Sequence, residues 1–504
     1  MTKDAIQCTA IDDVESYRLR LILENIFGGE TAVVGLRTNP HGRLGTNGFS
    51  LTHEYALFSR KNEDVPVGLL QRSDKQNARY KERDEKGSFL WFPLQKTGSN
   101  TLRKNRPTMF YPIYINQETE KMRIPDMQYS EAKQEFIIND SLKDKEIEIL
   151  PIKEDGSDGC WYFGVERALK EVDDFKAEFR DGVYTIYVKY RATEGLSPFS
   201  FWDDAKYSAT EHGTNMIKNI FGNVEVFSYP KSLYAVEDCL RVLKAQKDEC
   251  VIDYFAGSGT TGHAVISLNR QDKGNRKYIL VEVNNYFDSA TRTRIEKVIY
   301  SPDWKDGKPI SRQGISQCFK YMRLEQYEDT LNNLKIKEQQ TTAQFDEDSR
   351  FNESYMLEYM LDVETRDSLL NLKMFENPFA MTLKTTKDNE LVETEVDMVE
   401  TFNYLIGLNV ETEDWYRDEN ICVVQGHTHR DNLHTLVIWR NCKKIDNEQL
   451  NQFFDRMDFR TRDSEFDLIY VNGDNLLPNL RRDEDNWKVV LIEEEFTKRM
   501  FETE

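Results

Sequence analysis

The residues best suited to chemistry lie in one short segment, residues 253–265, which reads DYFAGSGTTGHAV. Gly257, Gly259 and Gly262 have the G-x-G-x-x-G spacing of a turn that binds a nucleotide-derived cofactor. In such a turn the first glycine permits a tight bend, the second admits the ligand, and the third lets a helix pack on a strand. The spacing therefore predicts a cofactor site in this segment.

Two classes of cofactor are compatible with these glycines. Glu282 lies twenty residues after Gly262, where a nicotinamide site has its ribose-binding acid, and this leaves an oxidoreductase open. Asp253, however, precedes the turn, where a carboxylate would crowd a pyrophosphate but suits the cationic amino-acid and sulfonium side of S-adenosyl-methionine. This favours a methyltransferase cofactor site. Its predicted cofactor-binding residues are Asp253, Phe255, Gly257, Gly259, Thr260 and Glu282.

The elements around the turn follow a regular order. An apolar run at 249–255 predicts a strand, the periodic pattern from about Gly259 predicts a helix, and KYILVEV at 277–283 predicts a second strand. Strand, turn, helix and strand form a βαβ unit. The amphipathic pattern LYAVEDCLRVLKA predicts a helix just before it.

The first sixty residues also have an α/β pattern. IQCTAI predicts a strand, and Leu19, Ile22, Leu23 and Ile26 predict one apolar helix face. We expect an N-cap at Asp12 or Asp13 and a helix end at the two glycines 28 and 29. Two further strands are predicted at 32–36 and 54–59.

The chain divides into four predicted regions. Residues 1–60 are one part of an α/β core, 61–200 a mostly β insert, and 201–330 the cofactor-binding part of the same core. Residues 331–504, which include a polar linker at 337–348, form a separate α/β domain. This last domain includes a predicted helix near 355–372 and further helices and strands.

Composition excludes several classes of protein. The seven cysteines of the 504 residues are scattered and never form a C-x-x-C pair, which indicates a reduced, cytoplasmic protein without a cysteine metal site. No apolar run is long enough for a transmembrane helix, and the N-terminus has no signal-peptide pattern. We therefore expect no membrane partner.

The net charge of −21 is unevenly distributed. Residues 331–504 contain 20 Lys and Arg against 38 Asp and Glu, whereas residues 60–106 contain 12 against 6. The sign of the local charge determines where a phosphate backbone can bind. The negative net charge of the whole chain therefore does not exclude DNA binding.

Several long motifs resemble one known family. VIDYFAGSGTTGHAVISLNR, NRKYILVEVNNYFD, TNPHGRLGTNGFSLTHEYALFSRKN and VFSYPKSLYAVEDCLRVL strongly resemble segments of the modification (methyltransferase) subunit of type III restriction-modification systems. Motifs such as LHTLVIWRNCKKID resemble its C-terminal domain, and the likeness covers nearly the whole chain in family order.

The resemblance implies an adenine-specific DNA methyltransferase with a Rossmann-like S-adenosyl-methionine core. It implies that the insert at 61–200 recognises the target sequence, and that the target adenine is flipped out of the duplex because its amine is inaccessible inside the stack. The implied partners are double-stranded DNA, a second copy of the chain in a homodimer, and a type III restriction subunit assembled through residues 331–504.

The sequence departs from the family at its catalytic motif. The family uses a [DNS]-P-P-[YFW] tetrapeptide at the end of a central strand, but all thirteen prolines here are isolated. The nearest variant, Asn377-Pro378-Phe379, lies in the C-terminal domain and is predicted to be an ordinary loop. We therefore expect that methylation needs a separate N-terminal methyltransferase fragment. The alternative is a non-catalytic DNA-binding or assembly remnant.

One further cluster suggests a metal site. His427, His429 and His434 are close in QGHTHRDNLH, but no cysteine accompanies them and the run separates two strand patterns. A β-hairpin is the favoured interpretation, and a metal site is the alternative.

Overall fold

The protein is represented by a computed structural model. It describes residues 4–45, 48–180, 182–324, 329, 372–387, 390–459, 466–482 and 487–501. The chain divides into two compact units, Met1–Cys318 and Phe319–Glu504. The predicted linker at 337–348 and most of the predicted helix near 355–372 lie outside the described residues.

The first unit begins with a mixed sheet. Its elements are β1 (Ile6–Ile11), α1 (Ser16–Phe27), β2 (Ala32–Leu36), β3 (Arg43–Leu44), β4 (Ser50–Leu51) and β5 (Glu54–Arg60). β5 pairs antiparallel with both β1 and β2, in the centre of the sheet. The strands predicted at 6–11, 32–36 and 54–59 are therefore confirmed, the last with one more residue.

The next region is built mostly of strands and has its own core. Its elements are α2 (Asp74–Asn77), β6 (Glu82–Asp84), β7 (Gly87–Pro93), β8 (Ile113–Asn116), β9 (Met122–Arg123), β10 (Met127–Ser130), β11 (Glu135–Ile138), β12 (Glu146–Ile149), α3 (Val165–Glu171), β13 (Phe175–Arg180) and β14 (Val183–Arg191). The strands form antiparallel sheets. Tyr111, Ile113, Trp161 and Val188 are among the buried residues of the core, which is formed within this region.

The chain then returns to α/β structure. The elements are β15 (Phe201–Trp202), α4 (Asn215–Phe221), α5 (Leu233–Val242), β16 (Cys250–Asp253), α6 (Thr260–Asp272), β17 (Lys277–Leu280), α7 (Thr293–Tyr300), β18 (Trp304–Lys305) and β19 (Lys308–Pro309). β15 joins the first sheet beside β2. β16 and β17 pair in parallel and are connected by α6, which confirms the predicted βαβ unit, with both strands shorter than expected.

Helix α5 packs on both of the α/β sheets. Ala235 and Val242 belong to a core with Val34 and Phe58 of the first sheet. Leu233 and Leu240, from the same helix, belong to a core with residues of α6, against which Val251 of β16 packs. Among the described strands, β1 and β16 do not pair with each other, so α5 is a direct packing link between the two sheets.

The apolar face predicted for α1 is only partly buried, which corrects the sequence analysis. Leu23 is 6% exposed against the first sheet, but Ile22 is 54% and Ile26 68% exposed. The predicted cap is also wrong, because the helix starts after Glu15 and no side chain caps it. The Asp12 carboxylate instead accepts backbone hydrogen bonds in the preceding turn. Gly28 ends the helix in the left-handed conformation, as predicted.

The second unit has a five-stranded sheet with helices. Its elements are β20 (Thr382–Lys387), β21 (Glu390–Glu395), α8 (Met398–Leu405), β22 (Leu408–Tyr416), β23 (Ile421–Thr428), β24 (His434–Arg440), α9 (Asn447–Arg456), β25 (Leu468–Val471), β26 (Val489–Leu491) and α10 (Ile492–Phe501). The sheet order is β22-β23-β24-β25-β26, with the last two pairings parallel. This is the α/β structure expected for the C-terminal region.

Two sequence alternatives are resolved in the second unit. β23 and β24 form a hairpin in which His427 is paired and ring-stacked with His434, so the hairpin interpretation is confirmed. Pro378 is buried in a short 3-10 helix, and the Phe379 ring packs on Trp415. Asn377-Pro378-Phe379 is thus a packing element. In the described part of the chain, no helix is long and apolar enough to span a membrane.

Because the two neighbouring residues Leu23 and Ile22 of α1 differ in burial, we expect their substitutions to differ in their effect on stability. Leu23→Ala is expected to lower the free energy of unfolding by about 2–3 kcal/mol, because it leaves a cavity against the sheet. Ile22→Ala, its neighbour on the same helix, should cost less than about 1 kcal/mol because the side chain is already half exposed. Urea unfolding of both variants measures the difference, and equal losses would contradict the observed helix orientation.

Candidate cofactor site

Asp253 lies at the carboxyl end of β16, where the chain enters the glycine turn. Its Oδ1 accepts the Phe255 amide at 3.0 Å, and its Oδ2 accepts the Thr261 hydroxyl at 2.5 Å. These bonds fix the carboxylate between the strand and the first turn of α6. Each carboxylate oxygen can accept a further hydrogen bond, so Asp253 has capacity for a ligand.

Glu282 lies two residues beyond β17 and faces the same turn. Its Oε2 accepts the Gly257 amide at 2.9 Å, while its Oε1 accepts the backbone amides of Val283 and Asn284 and the Asn284 side-chain amide. Partial burial opposes ionisation, but these donors outweigh it and hold the pKa of Glu282 below its usual value. Glu282 is therefore an ionised acceptor linked directly to the turn.

The structure explains in two different ways why glycine occupies the three predicted positions. Gly257 and Gly259 have φ of +53° and +75°, a region that glycine adopts without strain. A Cβ on Gly262 would lie 2.6 Å from Ile295 Cδ1 and 2.8 Å from Leu280 Cδ1. The third glycine thus lets α6 approach β17 and α7, as the spacing predicts.

Helix α6 begins at Thr260, directly after the turn. The first amides of a helix have no partner within the helix and attract negative or electron-rich groups. The Thr260 hydroxyl is buried and lies 3.0 Å from Ser258 Oγ, so its side chain is directed into the protein. Thr260 can therefore contribute to a ligand site through its backbone amide.

A buried arginine that was not predicted from the sequence forms hydrogen bonds to the glycine turn. Arg294 of α7 is fully buried and donates to the Ser258 carbonyl and hydroxyl, to the Thr260 hydroxyl and to His263. Burial lowers the pKa of His263 well below its usual value, which keeps the ring neutral and its Nδ1 able to accept. No local sequence motif indicates that Arg294 contacts the turn, because the two are more than thirty residues apart in sequence.

Aromatic rings flank the turn on its outer side. Phe255, which is predicted to line the cofactor site, is 89% exposed. Phe227, from the segment before α5, lies 3.3 Å from the position that a Gly257 Cβ would occupy, and packs edge-on against Tyr286. The structure thus brings Asp253, Phe255 and Glu282 to one turn and adds Phe227 and Tyr286, which sequence reasoning had not identified.

The chain belongs to the DNA methylase family, because the family model matches residues 1–292. This match includes the first sheet, the β-rich region and the whole glycine turn with Glu282. The glycine turn and its two carboxylates therefore lie within the matched part of the chain, whereas Arg294 and the second unit lie beyond it.

Individual relatives are methyltransferases and modification subunits. The chain is 29% identical over 329 residues to the type III restriction-modification enzyme EcoPI Mod subunit of Escherichia phage P1, covering 64% of this chain and 48% of that protein. It is 30% identical over 302 residues to the type II methyltransferase M.KpnI of Klebsiella pneumoniae, covering 58% and 66%.

A third relative is the StyLTI Mod subunit of Salmonella typhimurium, a type III restriction-modification enzyme. It is 26% identical over 313 residues, which cover 57% of this chain and 41% of that protein. The chain spans about half the length of the curated relatives it matches.

The close approach at Gly262 can be tested by adding volume. Gly262→Val is expected to lower the free energy of unfolding by about 2–3 kcal/mol, because its rigid branched side chain meets Ile295 and Leu280. Gly262→Ala should cost less than about 1 kcal/mol, since both contacted atoms are ends of flexible side chains and alanine favours the helix. Urea unfolding is the measurement, with Ser267→Val on the same helix as the control.

Proposed function

We propose that this chain is the cofactor-binding and DNA-recognising part of a site-specific DNA methyltransferase. The enzyme transfers a methyl group from S-adenosyl-methionine to the exocyclic amine of adenine, as the modification component of a type III restriction-modification system. The observation that carries the proposal is the pair of carboxylates, Asp253 and Glu282, flanking the glycine turn at the carboxyl ends of two parallel strands. Such ends are where open α/β sheets bind ligands, here in a Rossmann-like core.

The positions of the two carboxylates favour S-adenosyl-methionine over a nicotinamide dinucleotide. Glu282 Oε2 accepts one amide and keeps a lone pair for a ribose hydroxyl. Asp253 lies at the entrance of the turn, where a second negative charge suits the ammonium or sulfonium of S-adenosyl-methionine and would repel a pyrophosphate. The cofactor supplies the methyl group; Asp253 and Glu282 orient it, and Phe255 covers it.

The catalytic tetrapeptide is not present in residues 1–504, so the proposal includes a completing polypeptide segment. In this family the tetrapeptide ends a strand in the middle of the sheet. Helix α5 contacts Val34 of the first sheet and Val251 of β16 through neighbouring cores. Cys8 of β1 also packs on the core to which α5 contributes. Because a helix with side chains is about 10 Å wide, close to two strand spacings of about 4.8 Å, we propose that one strand lies between β1 and β16.

Unpaired strand edges and exposed apolar side chains also support the proposal of a completing segment. β1 and β16 each have an edge with no pairing among the described strands, and such edges recruit another strand. Ile252 and Ile279 on the β16–β17 sheet and Ile22 of α1 are about half exposed, and Ile26 of α1 is about two-thirds exposed. We propose that the occupant is one apolar strand with a flanking amphipathic helix, carried by a separate N-terminal methyltransferase fragment.

The alternative is a non-catalytic remnant that recognises DNA or a partner subunit. It shares the fold and the turn, and it differs only in having no completing segment. The proposed assembly partners, a second copy of the chain and a type III restriction subunit, rest on the relatives' identity as Mod subunits of type III enzymes. We assign their contacts to the second unit.

Cofactor choice is tested by calorimetry. The purified chain is expected to bind S-adenosyl-methionine weakly and NAD not at all. Glu282→Gln should weaken S-adenosyl-methionine binding at least about tenfold, because a hydrogen bond to a charged acceptor contributes about 1.5–3 kcal/mol. Asp248→Asn, which changes an exposed acid just before the neighbouring strand β16, is the control. Binding of NAD instead would favour an oxidoreductase.

Completion of the sheet is tested by adding the polypeptide encoded immediately upstream of this chain. We expect no transfer of tritiated methyl groups to mixed-sequence DNA by the chain alone and clear transfer with the added polypeptide. The double variant Ile22→Asp, Ile26→Asp should lose the complex, because it places charges on the apolar contact.

The matched control is Leu44→Asp, Phe49→Asp, which changes two exposed apolar residues of the β3–β4 hairpin. Turnover by the chain alone would refute the need for a completing segment. The absence of an upstream polypeptide with a Pro-Pro motif would favour the remnant.

A further inference from the structure

We propose that three cations of the loop between β7 and β8, Lys96, Lys104 and Arg106, bind the phosphate backbone of double-stranded DNA. These three residues are called the loop cations below. The inference rests on the proposed function and assigns specific residues to DNA contact. Nothing in the family match or in the relatives' names identifies them.

The loop is the part of the β-rich region in which positive charge predominates most. Residues 61–200 contain 23 Lys and Arg against 25 Asp and Glu, so the region as a whole is slightly acidic. Residues 91–110 contain four cations, Lys96, Arg103, Lys104 and Arg106, and no acidic residue. A local positive segment in an acidic protein attracts a polyanion to that place rather than to the whole surface.

The loop is held in place by a second loop. The Lys96 amide donates to the Cys160 carbonyl at 2.9 Å, and the Arg103 amide donates to the Asp158 carbonyl at 3.0 Å. The Lys153 ammonium donates to the Thr101 hydroxyl at 2.6 Å. The loop cations are therefore presented from a fixed backbone, which reduces the entropy lost when they bind a ligand.

Two of the loop cations, Lys96 and Arg106, lie near one buried thiol. Burial raises the pKa of Cys160, and the positive charges of Lys96, Arg106 and Lys153 oppose that rise. Charges on three different parts of the two loops thus lie close to a single sulfur atom. Lys96 and Arg106 therefore lie near each other and near Lys153.

In the part of the chain that the structure describes, the loop cations have no ion-pair partner, whereas several other cations of this region are paired. Arg123 is paired with Asp140 and Glu146, and Arg191 with Asp84 and Asp174. Arg103 is paired with Asp158. Within the described residues, the side chains of the loop cations form no ion pair or hydrogen bond. Their charges are available to an external anion.

A neutral polar tip lies between these charges. Thr97, Gly98, Ser99 and Asn100 are exposed, and none of them is acidic. Hydroxyl and amide side chains commonly contact DNA phosphates beside lysine and arginine. The competing ligand is an acidic protein surface, such as residues 331–504 of a second copy, with a net charge of −18. Duplex DNA is favoured because the chain belongs to the DNA methylase family.

The test measures DNA binding by the full chain at increasing salt concentration, using fluorescence anisotropy with a labelled mixed-sequence duplex. Each phosphate contact contributes about 0.9 to the slope of log affinity against log salt. The triple variant Lys96→Gln, Lys104→Gln, Arg106→Gln should therefore reduce the slope by about 2 to 3 and weaken binding at least about tenfold at low salt. The charge-conserving variant Lys96→Arg, Lys104→Arg, Arg106→Lys should retain the slope.

The matched control removes three exposed charges from other loops of the same region, Lys121→Gln, Lys133→Gln, Lys143→Gln. An unchanged slope in the loop variant, an equal reduction in the control, or no DNA binding by the parent chain would overturn the proposal. Loss of self-association with DNA binding intact would assign the loop to the acidic protein surface instead.

Calorimetry with S-adenosyl-methionine separates this inference from the proposed function. Normal cofactor binding with an unchanged salt slope refutes only the loop assignment. Absent cofactor binding refutes the proposed function whatever the slope.

Discussion

The first unit depends on one packing relation, in which helix α5 contacts two sheets that do not pair with each other. The two faces of α5 supply buried residues to both cores. Its polar residues are equally constrained, since the fully buried Asp238 accepts the Tyr207 hydroxyl at 2.7 Å and pairs with Lys206 and Arg241. Gly68 approaches the end of the helix so closely that a Cβ would lie 1.8 Å from the Arg241 carbonyl. The position of the glycine turn relative to the first sheet is set through this helix.

Apolar side chains are also exposed on the elements that the proposed completing strand and its helix would contact. Ile22 and Ile26 of α1 and Ile252 of β16 are all at least about half exposed. A completing strand accounts for both the free edges and the exposed faces, so one proposal covers two independent observations.

The sequence predicted the elements of the site well, because they depend on local patterns. The strand at 250–253, the glycine turn, helix α6 and the parallel second strand follow from apolar runs and from glycine positions. The role of the third glycine, Gly262, was predicted correctly because it depends only on the lack of space for a side chain between the helix and its neighbours.

The missed features depend on distant residues. Arg294 reaches the turn from α7, and no sequence pattern indicates this contact. Phe227 lies in the segment VFSYPKSLYAVEDCLRVL, for which the family resemblance implies a part in the cofactor pocket, but the resemblance did not identify the individual residue. The burial of α1 was overestimated because helical periodicity shows which residues share a face, but does not show whether anything covers that face.

The account is tested most directly by a crystal structure of the chain soaked with S-adenosyl-methionine. It predicts ligand density at the glycine turn, with the ribose hydroxyls on the Glu282 carboxylate, the adenine beside Phe255 and the cationic end towards Asp253. Density at another site, or no density at this turn at a saturating cofactor concentration, would contradict it.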